Sequence, residues 1–178
     1  MKRLSLSMIF ATGVIGVAAC NPAAETEPSA APAAPVTDIT PMAAADVPEA
    51  VRAVVEATRP GMVIAEAELK EREGRRYYDV EGSLNGAEIE LDLLETPEGW
   101  QVVEIQRDIV WSAVPVTVAG AAQGARAGFT PVRVIESTQA EDGAVIYELF
   151  AEGQRATPAL EVRVKDGQTE VLKEVWPH

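Results

Sequence analysis

Acidic side chains are the only chemically useful groups this chain has in quantity. Its 178 residues include 28 Asp and Glu against 15 Lys and Arg, a net charge of −13, with one Cys and one His. The His is His178, the final residue, where chain ends fray, so a Ser-His-Asp or Cys-His site is not expected. A single Cys and a single His exclude a disulfide within a monomer and any Cys/His zinc site. The glycines fall at turns and never at phosphate-cradling spacing. Neighbouring carboxylates such as Glu71/Glu73 and Glu141/Asp142 are unremarkable in so acidic a chain and do not mark a glycosidase. No D-x-[DN]-x-[DN]-G loop is present. The sequence therefore predicts no catalytic residue, no cofactor and no metal. So negative a chain also excludes a nucleic-acid backbone as partner, which needs Lys and Arg to displace counterions.

Strand alternation sorts the acids onto one face. With Tyr78, Val80, Ile89, Leu91, Leu93, Val103 and Ile105 turned toward a core, the other face carries Tyr77 and eight acids: Glu66, Glu68, Asp79, Glu81, Glu88, Glu90, Asp92 and Glu104. Such a face is either simply solvated or a surface for a cationic partner, for example an envelope protein with a basic patch. The equivalent positions in the second half are mixed, and there Ile146 and Phe150 are the candidates for an apolar contact patch.

The elements that position these residues follow a leader and a tether. Lys2 and Arg3 precede an uncharged, mostly apolar run from Leu4 to Ala19. A helix of that length spans about 24 Å, short of a bilayer core of about 30 Å, so residues 1–19 read as a signal peptide and not as a permanent span. Residues 20–46 contain the Cys followed by an Ala/Pro-rich stretch, with nine Ala and five Pro between Asn21 and Asp46, which predicts a semi-stiff tether. Beyond it the chain looks repeated. Val47-Pro48 recurs as Val114-Pro115, Arg59-Pro60-Gly61 is echoed by Arg126-Ala127-Gly128, and Tyr78-Asp79-Val80 by Tyr147-Glu148-Leu149.

Each copy opens with a helix signal. Asp46 is placed to cap the first helix, Pro48 fits its first turn, and Val51, Val54 and Val55 share a face before Pro60-Gly61. The second runs from about Pro115 to Ala127. Four alternating segments follow each helix: Val63–Lys70, Arg75–Glu81, Glu88–Leu94 and Trp100–Arg107, then Val132–Ser137, Ala144–Phe150, Leu160–Lys165 and Glu170–Trp176. The expected fold class is α+β: two tandem modules, residues 47–110 and 111–178, each with one helix packed on its own four-stranded antiparallel sheet.

Two resemblances add to this. Val17-Ala18-Ala19-Cys20 resembles the lipobox of bacterial lipoproteins, which implies cleavage before Cys20, lipidation of its thiol and attachment to the membrane. Asn21, in place of the Asp that retains such proteins at the inner membrane, points to the outer one. The implied location is the cell envelope, facing the periplasm. The Val-Pro-x-x-Val helix, the Pro-Gly stop and the Tyr-x-Val strand pair resemble the PepSY family, and the tandem arrangement is similar to that of beta-lactamase inhibitory protein. These resemblances imply a non-catalytic binding module, with a proteinaceous inhibitor of a periplasmic hydrolase, or a structural or chaperone-like envelope factor, as the alternatives.

Overall fold

Among the described residues, alternating apolar and polar side chains build nine strands, and all nine join one sheet. The computed structural model describes residues 37–154, 156–174 and 176. In chain order these form β1 (Thr37–Ala43), α1 (Glu49–Thr58), β2 (Val63–Arg72), β3 (Arg75–Leu84), β4 (Ala87–Thr96), β5 (Gly99–Ile109), α2 (Val116–Ala125), β6 (Arg133–Gln139), β7 (Val145–Phe150), β8 (Leu160–Lys165) and β9 (Gln168–Val171). The strands lie side by side in sequence order and every neighbouring pair is antiparallel.

This corrects the expectation of two separate helix-on-four-strand modules. The joint is β5, which pairs with β6 from Glu104↔Gln139 to Ile109↔Val134. Two four-stranded sheets would each leave an open edge here. Joining them satisfies both rows of backbone N–H and C=O groups. Packing on the helix side remains divided. Val51 and Val55 of α1 cover Tyr78, Val80, Leu91 and Leu93, whereas Val118 and Ala122 of α2 cover Val134, Tyr147, Leu149 and Val162. Both helices have a proline as N-cap, Pro48 and Pro115, without a side-chain cap, so Asp46 does not fill the role its position suggests. Arg52 fastens the start of α1 instead, donating from Nε to the Val47 carbonyl at 2.9 Å.

Three hairpins turn on a non-glycine residue with positive φ followed by glycine: Glu73-Gly74, Asn85-Gly86 and Asp166-Gly167. Two consecutive left-handed residues match the twist of antiparallel strands, which is why these dipeptides were legible as turns.

The first strand lies inside the segment read as a tether. β1 pairs along the length of β2, from Thr37↔Arg72 to Ala43↔Glu66, and its Met42 packs against the first core. Pro41 is tolerated because an edge strand has one side with no partner to donate to. Deleting residues 21–43 is therefore expected to lower the melting temperature by about 5 °C, from the lost Met42 burial and the bared β2 edge. An unchanged melting temperature would restore the tether reading for the whole segment.

Candidate functional site

The helices cover one face of the sheet. Among the described residues the other face is helix-free, and strand register lines up its carboxylates in rows. Asp79 of β3, Asp92 of β4 and Glu104 of β5 stand directly opposite one another. In the adjacent row Glu66, Glu81, Glu90 and Gln106 are register partners across β2 to β5. A bulge in β5 places Val103 as an extra residue between Val102 and Glu104. Val103 consequently lines a cavity on the helix-free face, not the helix-side core that simple alternation assigns it.

A solvated acidic face would leave all eight acids in water. Glu66 and Glu88 are exposed and Glu68, Glu81 and Glu90 half-buried, but Asp79, Asp92 and Glu104 are only 7%, 6% and 4% exposed. Curling of the sheet explains this. Laid flat, β3 and β8 would lie about 24 Å apart, five strand spacings. Yet Trp176, whose main-chain N–H donates to Glu161 Oε2 of β8 at 2.6 Å, lines the same cavity of about 390 Å³ as Tyr77, Asp79 and Asp92. The chain after β9 thus folds back over the face, and polar residues of distant strands converge.

Burial sets the electrostatics of the cluster. Removal from water, reinforced by the charges of Asp79, Glu90 and Glu104, pushes the Asp92 carboxyl up to about 9. Burial, with Asp79 and Glu81 beside it, takes Glu90 up to about 7. Asp79 is also raised, because burial outweighs its ion pair with Lys70. Burial works against the Lys70 charge, but the bond to Asp79 and the surrounding carboxylates hold its pKa above the ordinary value. Polar donors complete the cluster. The Ser137 hydroxyl donates to Glu104 Oε1, Gln139 Nε2 donates to Ser137 Oγ at 2.8 Å, and Gln106 Nε2 reaches Asp92 Oδ2 at 3.4 Å. Asp92 Oδ1 is buried without a hydrogen-bond partner among the described residues.

The second half of the face differs from its expected role. Ile146 is fully buried and Phe150 only 4% exposed, so they do not form an exposed apolar patch. Phe150 lies beneath the Arg133 guanidinium, 5.6 Å from its ring centroid, and Ile146 sits in register between Ser137 and Arg163. Glu148 and Glu161 are buried on this face as well. Cys20 falls outside the described residues.

Five contributors to the cluster escaped the sequence reading. Lys70 and Gln106 were within reach, since Lys70 alternates with Glu66 and Glu68 on β2 and Gln106 with Glu104 on β5. Ser137, Gln139 and Trp176 gave no such signal, because they arrive through the β5–β6 pairing and the C-terminal fold-back. The arrangement can hold protons or a cation and can orient a charged ligand. Among the described residues it has neither thiol nor imidazole.

Comparison with protein-family models, with curated proteins and with solved structures returns no match. Among the described residues no helix is long and apolar enough to cross a membrane.

Proposed function

We propose that the mature chain is a non-catalytic binding module of the bacterial envelope, anchored through lipid on Cys20 and presenting the helix-free face of its sheet to a partner with a basic patch. The observation that carries this reading is the concentration of acids there. Glu66, Glu68, Glu81 and Glu88 ring a buried carboxylate cluster in which Lys70 is ion-paired with Asp79. Their mutual repulsion is already felt within the protein, because burial and the nearby Glu66, Glu88, Glu68 and Asp79 raise the Glu81 carboxyl. A basic partner would relieve that repulsion on docking and would be steered to the face from a distance.

The test is crosslinking in intact envelopes, followed by association kinetics with the captured protein. Changing Glu66, Glu68, Glu81 and Glu88 together to Gln is expected to slow association about tenfold at low salt and to flatten its salt dependence. Equal rates for the two proteins would reject the face as the docking surface. A captured hydrolase that loses activity on binding would favour the inhibitor reading instead. The anchor has its own test. Cys20→Ser should abolish acylation and shift the protein from the membrane fraction to a soluble or uncleaved form. A mutant still processed and membrane-bound would overturn the lipoprotein assignment.

A further inference from the structure

We propose that Asp79, Glu90 and Asp92 form a binding site for a hard divalent cation of calcium size. Each of the three carboxylates offers one oxygen, and these oxygens all lie within 4.8 Å of one another. Ca²⁺ binds oxygen at about 2.3–2.6 Å in flexible, irregular geometry that carboxylates on two paired strands can supply, whereas Mg²⁺ at about 2.1 Å demands a near-ideal octahedron. A donor set made only of carboxylates selects hard cations over zinc or copper.

A second, independent feature points to a ligand. Asp92 is 6% exposed, and its Oδ1 has no partner among the described residues. A buried carboxylate oxygen without a donor is costly unless something positive or protic reaches it. Asp92 and Asp79 both line the cavity of about 390 Å³, which gives an ion a way in and leaves room for the water ligands a calcium-sized ion retains. The ligands stand on paired strands, with Asp79 directly opposite Asp92 and Glu90 two residues before it on β4. Lys70, now on Asp79, has a third of its side chain exposed and can swing outward to release that carboxylate.

This site goes beyond the binding-module reading and does not depend on it: cation uptake is read on the isolated protein, partner capture in envelopes. Calorimetric titration of the EDTA-treated full mature protein with CaCl₂ at pH 8 tests it, with MgCl₂ as comparator. Saturable calcium binding is expected, at least about tenfold tighter than magnesium. Asp92→Asn should weaken calcium binding at least about tenfold while melting remains cooperative. Glu90→Gln, at a half-buried position, provides the same comparison should Asp92→Asn not fold. No saturable heat up to about 10 mM CaCl₂, or unchanged affinity in a folded variant, would overturn the proposal.

Discussion

Gly82→Ala is expected to lower the melting temperature by about 10 °C, a loss on the order of 3 kcal/mol. Gly82 is buried near the end of β3, opposite Ile64 on β2 and Ile89 on β4. An added Cβ would drive into the Val63 carbonyl oxygen and stand 2.9 Å from Met62 Cε. The methionine tip can move, but the carbonyl belongs to the backbone of β2 just before the bulge between Ile64 and Glu66. Relief therefore requires shifting a strand that carries both a core residue, Ala67, and the acidic residues Glu66 and Glu68. Gly120→Ala supplies the control. Gly120 is exposed on α2 with nothing within 4 Å of an added Cβ, so the same substitution there should stabilise by about 0.5–1 kcal/mol through helix propensity alone. Thermal melts of the two variants check both signs, and a Gly82→Ala protein melting within about 2 °C of the parent would refute the steric account.

Gly82 also shows where sequence reading stopped short. The predicted segment stops at Glu81, whereas β3 runs on to Leu84 through Gly82, whose lack of a side chain admits the close approach of the Val63 carbonyl. Hairpins were legible because their signals are local, each a dipeptide with glycine between alternating segments. The β5–β6 pairing was not. Its first partners, Ile109 and Val134, are separated by the whole of α2, and no local pattern distinguishes two sheets from one. The acidic face was legible as a set of residues, since period-two alternation identifies which side chains share a side. Its burial was not, because burial depends on sheet curl, on Ser137 and Gln139 crossing from β6 and on Trp176 folding back over the face. The same long-range closure turned Ile146 and Phe150 from a supposed contact patch into interior residues. β1 was missed for a compositional reason. Ala and Pro mask a short strand whose pairing comes from the free edge of β2 and not from its own propensity.

Asp92→Asn is expected to stabilise the protein by about 3 kcal/mol at pH 8, and to do so far less at pH 5, when both proteins are compared in chelator-treated buffer. Burial pushes the folded carboxyl of Asp92 up to about 9 and that of Glu90 up to about 7, both far above the ordinary carboxylate values of 3.8 and 4.5. Between the unfolded and folded values the native state holds protons that the unfolded chain has released. Stability must then fall as pH rises, by up to about 1.4 kcal/mol per pH unit for each such group. The groups facing Asp92 are Asp79, Glu90, Glu104 and Lys70, and only Lys70 opposes the upward shift. Asparagine removes the need for a proton. Its carbonyl can still accept from Gln106, and its amide can donate toward the neighbouring carboxylates. Other perturbed groups act outside this window. Asp142, held at about 2 by its bonds to Lys165, the Ala144 N–H and Arg163, loses its partners' support only in strong acid, and Tyr147, pushed up to about 12 by burial beside Glu136, titrates only in strong base. His178 is common to both proteins and cancels in the comparison. Denaturant melts at pH 5, 6.5 and 8 should show the wild-type curve descending steeply and the variant's more gently, with the residual slope carried by Glu90 and Asp79. Parallel curves would mean that Asp92 is not the group holding the proton.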